Sequence, residues 1–534
     1  MVVRAKAPLQ YLRRRGGDVR PAGAPTRRRL PGGLDTIDYG LAALLALAVL
    51  LVHDVPYLLH HPFWLDEAWV ADTVRARLGL VPSLSSSTPL GWTFLLRLVP
   101  FGGPERLRLV PLAFAMLAAA AGYLFGRELR LTRFATGILT GAAVLLSPAL
   151  LVRDDLKQYT AEAFACVLVW LLVARLENEW RLRRLAAIAA TASAGMLFAN
   201  TVIFAGVAAM ASLGLECLVR RWFRRLAAVI AASAVMLGAG LAIYEGLIRP
   251  QITQNLVSYW APHYMPTTSW SAAFSFLNQQ LHQLAPYLGF GSLIVDAVLA
   301  LTGVAALVWL GRPALAAMFP LTLAIVIAAS GARKYPFGDS RTSTFWLVAA
   351  PLLMAVAVAA AGRLAARIDR RAPLAVAAAA LAVWVPFTDA YIRSHQLPAT
   401  EDVRSEVAYL DAHLRHGDVV IVSFAASYAF TYYYPRAGLS FMTDPDGPNA
   451  HVPAYPGVPW IIVMPDRQAD DVSNALAAAR AKVAAEPPGA RGRIWIIRSH
   501  LQPAEIDAWQ RDLAGQQVRV IPVGTDPILL YAPP

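Results

Sequence analysis

"LVPLAFAMLAAAAGYLFGRELRLTR", residues 109–133, decides the fold class. Residues 109–126 carry no charge, and a helix rising about 1.5 Å per residue over that length approaches the ~30 Å hydrocarbon core of a bilayer. Residues 127–133 follow at once with Arg127, Arg130 and Arg133. Arginine-rich turns of this kind stay on the cytoplasmic side, so the stretch predicts both a crossing and its direction.

The same two signals extend in both directions along the chain. Upstream, a basic tail over residues 1–35 precedes an apolar run at about residues 36–55; no small-x-small cleavage pattern follows it, which predicts an uncleaved first helix. Downstream, apolar stretches at 134–152, 163–176, 186–198, 201–218, 226–248, 292–310, 314–330, 345–362 and 374–392 alternate with basic turns such as "RRWFRR" (220–225) and "RLAARIDRR" (363–371). The expected architecture is a polytopic α-helical membrane protein of about eleven transmembrane helices. Its N-terminus is expected in the cytoplasm and its C-terminus outside.

Composition agrees: of 534 residues, 57% are hydrophobic and only 16% charged, too few charges for an ordinary soluble protein. The net charge of +13 lies between apolar runs instead of on one solvated face, so nucleic acid is not an expected partner. Both cysteines, Cys166 and Cys217, fall inside apolar stretches and read as small hydrophobes.

From about residue 393 the pattern changes. Short β-rich runs such as "VVIVSF", "WIIVMP" and "RIWIIRS" alternate with amphipathic helices, as in a small, largely parallel α/β domain. The expected division is a tail (1–35), a membrane domain (36–392) with an outer loop (57–108), and an extracytoplasmic C-terminal α/β domain (393–534). Residues 445–459, "PDGPNAHVPAYPGVP", read as a loop. No glycine-rich phosphate loop follows a strand there, so the domain is expected to be a lid, an acceptor-binding module or a passive cap.

Three polar clusters fall on one side of the membrane under this topology: "FWLDEAWVA" (63–71) with Asp66 and Glu67, "RDDLKQYTAE" (153–162), and "RKYPFGDSR" (333–341). Ionisable groups at membrane depth are costly and are usually paired, buried in protein or lining a wet cavity. The plain reading of the first is an interfacial anchor with solvated acids. The chemical reading is a general base: a carboxylate beside a second carboxylate and apolar rings holds its proton more tightly, which suits removing a proton from a hydroxyl. The basic residues Lys157 and Arg341 read either as headgroup anchors or as donors that neutralise a departing phosphate. His60 and His61 are adjacent and diverge on a helix without a suitably spaced third ligand, which leaves metal unknown.

The ordered set "FWLDEAWVA", "SSSTPLGW", "LKQYTAEAF" and "YPFGDSRTSTF", with an outward C-terminal domain, resembles the GT-C integral membrane glycosyltransferases. The likeness is to glycosyltransferase family 39, the protein O-mannosyltransferases and the related aminoarabinose transferases of lipid A. It covers most of the chain in layout and these short motifs in residues. Two departures are visible: Glu162 stands where the family often has aspartate, and Ser87 and Thr88 precede Pro89 where some relatives carry a charge or a second proline.

The resemblance implies inverting transfer of a sugar from a polyprenyl-phosphate donor to an acceptor hydroxyl outside the plasma membrane, the acceptor being an envelope glycan, lipid or protein. Asp66 would be the general base and Glu67 would orient the acceptor or tune Asp66. Lys157, Arg341 and Tyr159 would bind the donor phosphate, and Asp155, Glu162 and Tyr335 the acceptor or sugar. No cofactor is required, although a divalent metal is compatible. The competing reading is a polytopic transporter or lipid flippase, but carriers favour repeated halves and polar groups near the midplane. A catalytically dead scaffold is a third.

Overall fold

A computed structural model describes residues 34–85, 88–99, 104–151, 156–252, 254–395, 401–434, 440–443, 451–455 and 457–533. Among them, seven helices are long and apolar enough to cross a membrane: Glu105–Leu129, Tyr159–Asn178, Val202–Val219, Phe223–Gln251, Pro313–Gly331, Ser340–Ala365 and Ala372–Ser394. Thr36–Val52, Ala135–Leu145 and Leu293–Trp309 are shorter apolar helices. The crossing expected near 186–198 is the helix Leu182–Gly195; its buried face, Leu185, Ile188, Ala189 and Ala192, follows the helical repeat.

Two of the long helices form the centre of the bundle. The apolar window of Ser340–Ala365 is 89% buried and that of Tyr159–Asn178 is 78% buried, against 17% for Phe223–Gln251 and 22% for Ala372–Ser394. These two helices carry Arg341 and follow Lys157, so the best-packed elements deliver the cations. Small residues allow the close packing. At Gly303 a Cβ would lie 2.1 Å from the Leu353 carbonyl oxygen, so the helix Leu293–Trp309 meets its neighbour backbone to backbone.

The end of the helix Glu105–Leu129 is tied to the helix Thr36–Val52. Arg127 pairs with the buried Asp38, and Tyr123 donates to Asp38 Oδ1 at 2.8 Å.

The C-terminal region holds a five-stranded sheet in the order β4-β1-β5-β7-β6, with β1 Val419–Val422, β4 Ile461–Val463, β5 Ile494–Ile497, β6 Val518–Ile521 and β7 Ile528–Tyr531. β1 runs parallel to β4 and β5, whereas β7 is antiparallel to both β5 and β6. The expectation of a largely parallel sheet is corrected at this edge, because residues 522–527 between β6 and β7 are too few for the crossover that a parallel pair needs. The segment read as a loop also contains a strand: β3 His451–Ala454 pairs antiparallel with β2 Ser440–Thr443.

One helix, Phe424–Tyr433, was not expected. Nearly all of its residues are buried, so it shows no apolar face for a helical repeat to reveal. It lies against the helix Leu65–Arg75, called the rim helix below. Trp69 stacks on Tyr428 with ring centroids 4.8 Å apart, Arg75 Nη1 donates to the Tyr432 carbonyl at 2.8 Å, and the Phe63 amide donates to the Tyr433 hydroxyl at 2.8 Å.

Candidate active site

Asp66 and Glu67 occupy the first turn of the rim helix, where the helix dipole favours anions. Adjacent helical residues point about 100° apart, so the two acids have different partners. Glu67, 2% exposed, takes a two-pronged grip from Arg108, whose Nε donates to Oε1 at 2.7 Å. Arg108 also donates to the Leu58 and His61 carbonyls at 2.8 and 2.6 Å and lies over the Phe63 ring. Glu67, expected to orient the acceptor or tune Asp66, is engaged by Arg108 in fastening the loop to the helix.

Asp66 faces the two central helices. Its Oδ2 lies 3.0 Å from Lys157 Nζ and 3.2 Å from Arg341 Nη1. The three side chains remain 12% to 18% exposed. Each cation is held by its surroundings. Trp92 donates to the Leu156 carbonyl at 2.9 Å, fixing the turn before Tyr159 that carries Lys157. Asp339 caps the helix Ser340–Leu347 by accepting from the Arg341 and Thr342 amides at 2.7 and 3.3 Å, and its carboxylate also takes the Arg341 guanidinium. Arg341 Nη2 donates to the Tyr259 hydroxyl at 2.6 Å.

Burial pushes the Asp66 carboxyl up, but Lys157, Arg341 and, more weakly, His500 bring it below the ordinary aspartate value. The expectation of a raised proton affinity is therefore corrected: Glu67 is neutralised by Arg108, and two cations sit where a second acid was expected to act.

Tyr159 is buried and close enough to Arg341 and Tyr335 to interact electrostatically with both. Tyr335 is partly buried against Phe204 and Phe345 and donates to the Thr342 carbonyl at 2.8 Å, so its hydroxyl is used in holding the Arg341 helix. Its phenol is pushed well above the usual value by burial and by Glu162, Tyr159 and Asp339. Glu162, 2% exposed, accepts from Gln158 Nε2 at 3.3 Å in the bundle beneath the rim. Asp155 lies outside the described residues. Among the described residues, no group of three or more His, Cys, Asp and Glu side chains is placed to hold a metal ion.

Sequence reading missed Tyr259, Glu401 and His500, each far from the motifs in the chain. A cavity of about 10 Å³ beside Asp66 and Lys157 is lined by Trp69, Thr73, Ser85 and Thr88. That is room for about one water, and the lining is rich in hydroxyls.

No family model matches the chain, and no curated protein matches it. Solved structures do. ArnT from Cupriavidus metallidurans in the apo state is similar with a TM-score of 0.54 and 14% identity, over 93% of this chain and 99% of that one. The same enzyme bound to undecaprenyl phosphate gives a TM-score of 0.51 at 14% identity, over 92% and 98%. An Archaeoglobus fulgidus oligosaccharyltransferase in the apo form gives 0.45 at 12%, over 74% and 63%. The chain has the GT-C fold, a polytopic helical membrane fold.

Proposed function

We propose that the protein is a glycosyltransferase that moves a sugar from a polyprenyl-phosphate carrier to an acceptor hydroxyl at the outer face of the plasma membrane. The observation that carries this reading is the meeting of Lys157 and Arg341 on one oxygen of Asp66. Two cations held at a membrane rim suit a phosphate anion, and a carboxylate between them suits a proton acceptor. ArnT bound to undecaprenyl phosphate supports the donor class by fold.

In the resting arrangement Asp66 is a weak base because both cations stabilise its charge. An arriving donor phosphate competes for Lys157 and Arg341. As they turn to the phosphate, Asp66 loses its counter-charges and its proton affinity rises, so the base is activated when the leaving group is in place. The acceptor oxygen then bonds to the anomeric carbon as its proton passes to Asp66. The bond from that carbon to the phosphate oxygen breaks, its electron pair remaining on the phosphate opposite Lys157 and Arg341. Attack from the opposite face inverts the anomeric centre.

The test is transfer from a panel of radiolabelled polyprenyl-phosphate sugars to envelope extract by wild type and Asp66→Asn. A general base contributes about 10²- to 10⁴-fold, so the substitution should reduce transfer at least 100-fold while the detergent-solubilised protein melts normally. Equal transfer by the two proteins removes Asp66 from the chemistry.

A further inference from the structure

The N-terminus of the rim helix lacks a local cap: Trp64 occupies the capping position and supplies no side-chain acceptor. The free amide of Leu65 instead donates to Glu401 Oε2 at 2.8 Å, a contact across 336 residues from the segment that enters the C-terminal region. Glu401 is 2% exposed, and its other oxygen, Oε1, lies 2.9 Å from His500 Nδ1. His500 follows strand β5 with φ +50°, in the left-handed region of backbone space. Leu65 directly precedes Asp66.

We propose, on the basis of the glycosyltransferase reading above, that His500 is a positioning residue for Asp66: its imidazole, in ion-pair contact with Glu401, holds that carboxylate on the first turn of the rim helix and so sets where the Asp66 carboxylate stands. The remote cap explains why the C-terminal region belongs to the same machine as the membrane bundle. Small misplacements of a reacting group cost up to about 10²-fold in rate, and loosening this turn would move Asp66 relative to Lys157 and Arg341.

The charged and titratable groups facing His500 are Glu401, Arg467 from the loop after β4, Asp66 from the rim helix and Glu505 from the helix Pro503–Asp512. The adjoining Glu401 carboxylate raises the imidazole's proton affinity above its ordinary value, against burial and Arg467, with Asp66 adding to the rise. A raised folded-state value means that the lock is complete at acid pH and is lost as pH climbs through that value.

Two variants separate positioning from folding. His500→Asn tolerates the left-handed backbone and does not titrate; Glu401→Gln keeps an acceptor for the Leu65 amide but removes the charge. Both should lower kcat about ten-fold or more with donor KM changed less than about three-fold, and both should lose the alkaline decline of kcat that wild type shows near the His500 titration. Amide hydrogen exchange of residues 60–76, compared at one pH, should accelerate in both and not in Asp66→Asn. Wild-type kcat, pH profile and exchange in the two variants would overturn the proposal. If wild type and Asp66→Asn transfer sugar equally, the enzyme reading fails instead, and the exchange measurement still decides whether the lock exists.

Discussion

Arg108 grips both carboxylate oxygens of Glu67 across 41 residues of chain, while Asp66, one residue earlier, faces different cations. Removing one partner of such a buried pair leaves an unpaired charge, at a typical cost of about 3–5 kcal/mol. Arg108→Ala and Glu67→Ala should therefore destabilise strongly, with melting of the detergent-solubilised protein as the measure. Activity surviving in a folded Glu67→Gln protein would fit the pair's fastening role; its loss with normal melting would return Glu67 to the chemistry.

Lys157 and Arg341 differ in how they are held. Loss of one preorganised donor to a developing anion typically costs about 10²- to 10³-fold in rate, and Lys157→Ala should lose transfer on that scale. Arg341→Lys should also fail, because the guanidinium divides its donors among Asp66, Asp339 and Tyr259, which a single ammonium cannot reproduce. Steady-state kinetics with a purified donor checks both.

Asp72 supplies the pH dependence of the seam between the rim helix and the helix Phe424–Tyr433. It is 1% exposed with Oδ2 unpartnered, and burial pushes its carboxyl well above the ordinary value against a weaker pull from Arg75. A carboxyl raised in the folded state contributes stability below its unfolded value that is lost as pH rises through the folded value. Asp66 is the opposite case: its depressed carboxyl contributes stability above the unfolded value, lost as pH falls through the folded one. Asp72→Asn should raise the melting temperature at pH 8 more than at pH 5. An equal change at both would place the titration elsewhere.

Sidedness is testable by labelling. Cys166 and Cys217 are buried, so both can be replaced by Ala and single cysteines introduced at the exposed positions Ser83, Ala484 and Arg370. A membrane-impermeant maleimide added to intact cells should label the first two and reach Arg370→Cys only after permeabilisation. Labelling of Ser83→Cys and Ala484→Cys from opposite faces would separate the rim helix from the C-terminal region and defeat the proposed reaction site.

Much of this was legible in the chain because it depends on local properties. Apolar length and arginine-rich turns mark crossings residue by residue, since each backbone amide in a bilayer must be satisfied within its own helix. These local signals mark the helices and set Asp66, Lys157 and Arg341 on one side of the expected topology. The β-rich runs at 419–424, 460–465, 493–499, 518–523 and 528–532 were visible for the same reason. Their alternation with helices suggested parallel order, whereas the short 522–527 turn forces the antiparallel edge.

Only the tertiary structure decided which charge meets which. Sequence adjacency suggested that Glu67 would raise the proton affinity of Asp66; folding instead points the two side chains apart and brings two cations to one of them from 91 and 275 residues away. Glu401 and His500 carry no local signature, because a carboxylate capping a helix more than 300 residues distant is defined by its position in space alone. Coulomb interactions and hydrogen bonds act over a few ångströms, and which groups come that close is settled by packing of the whole chain.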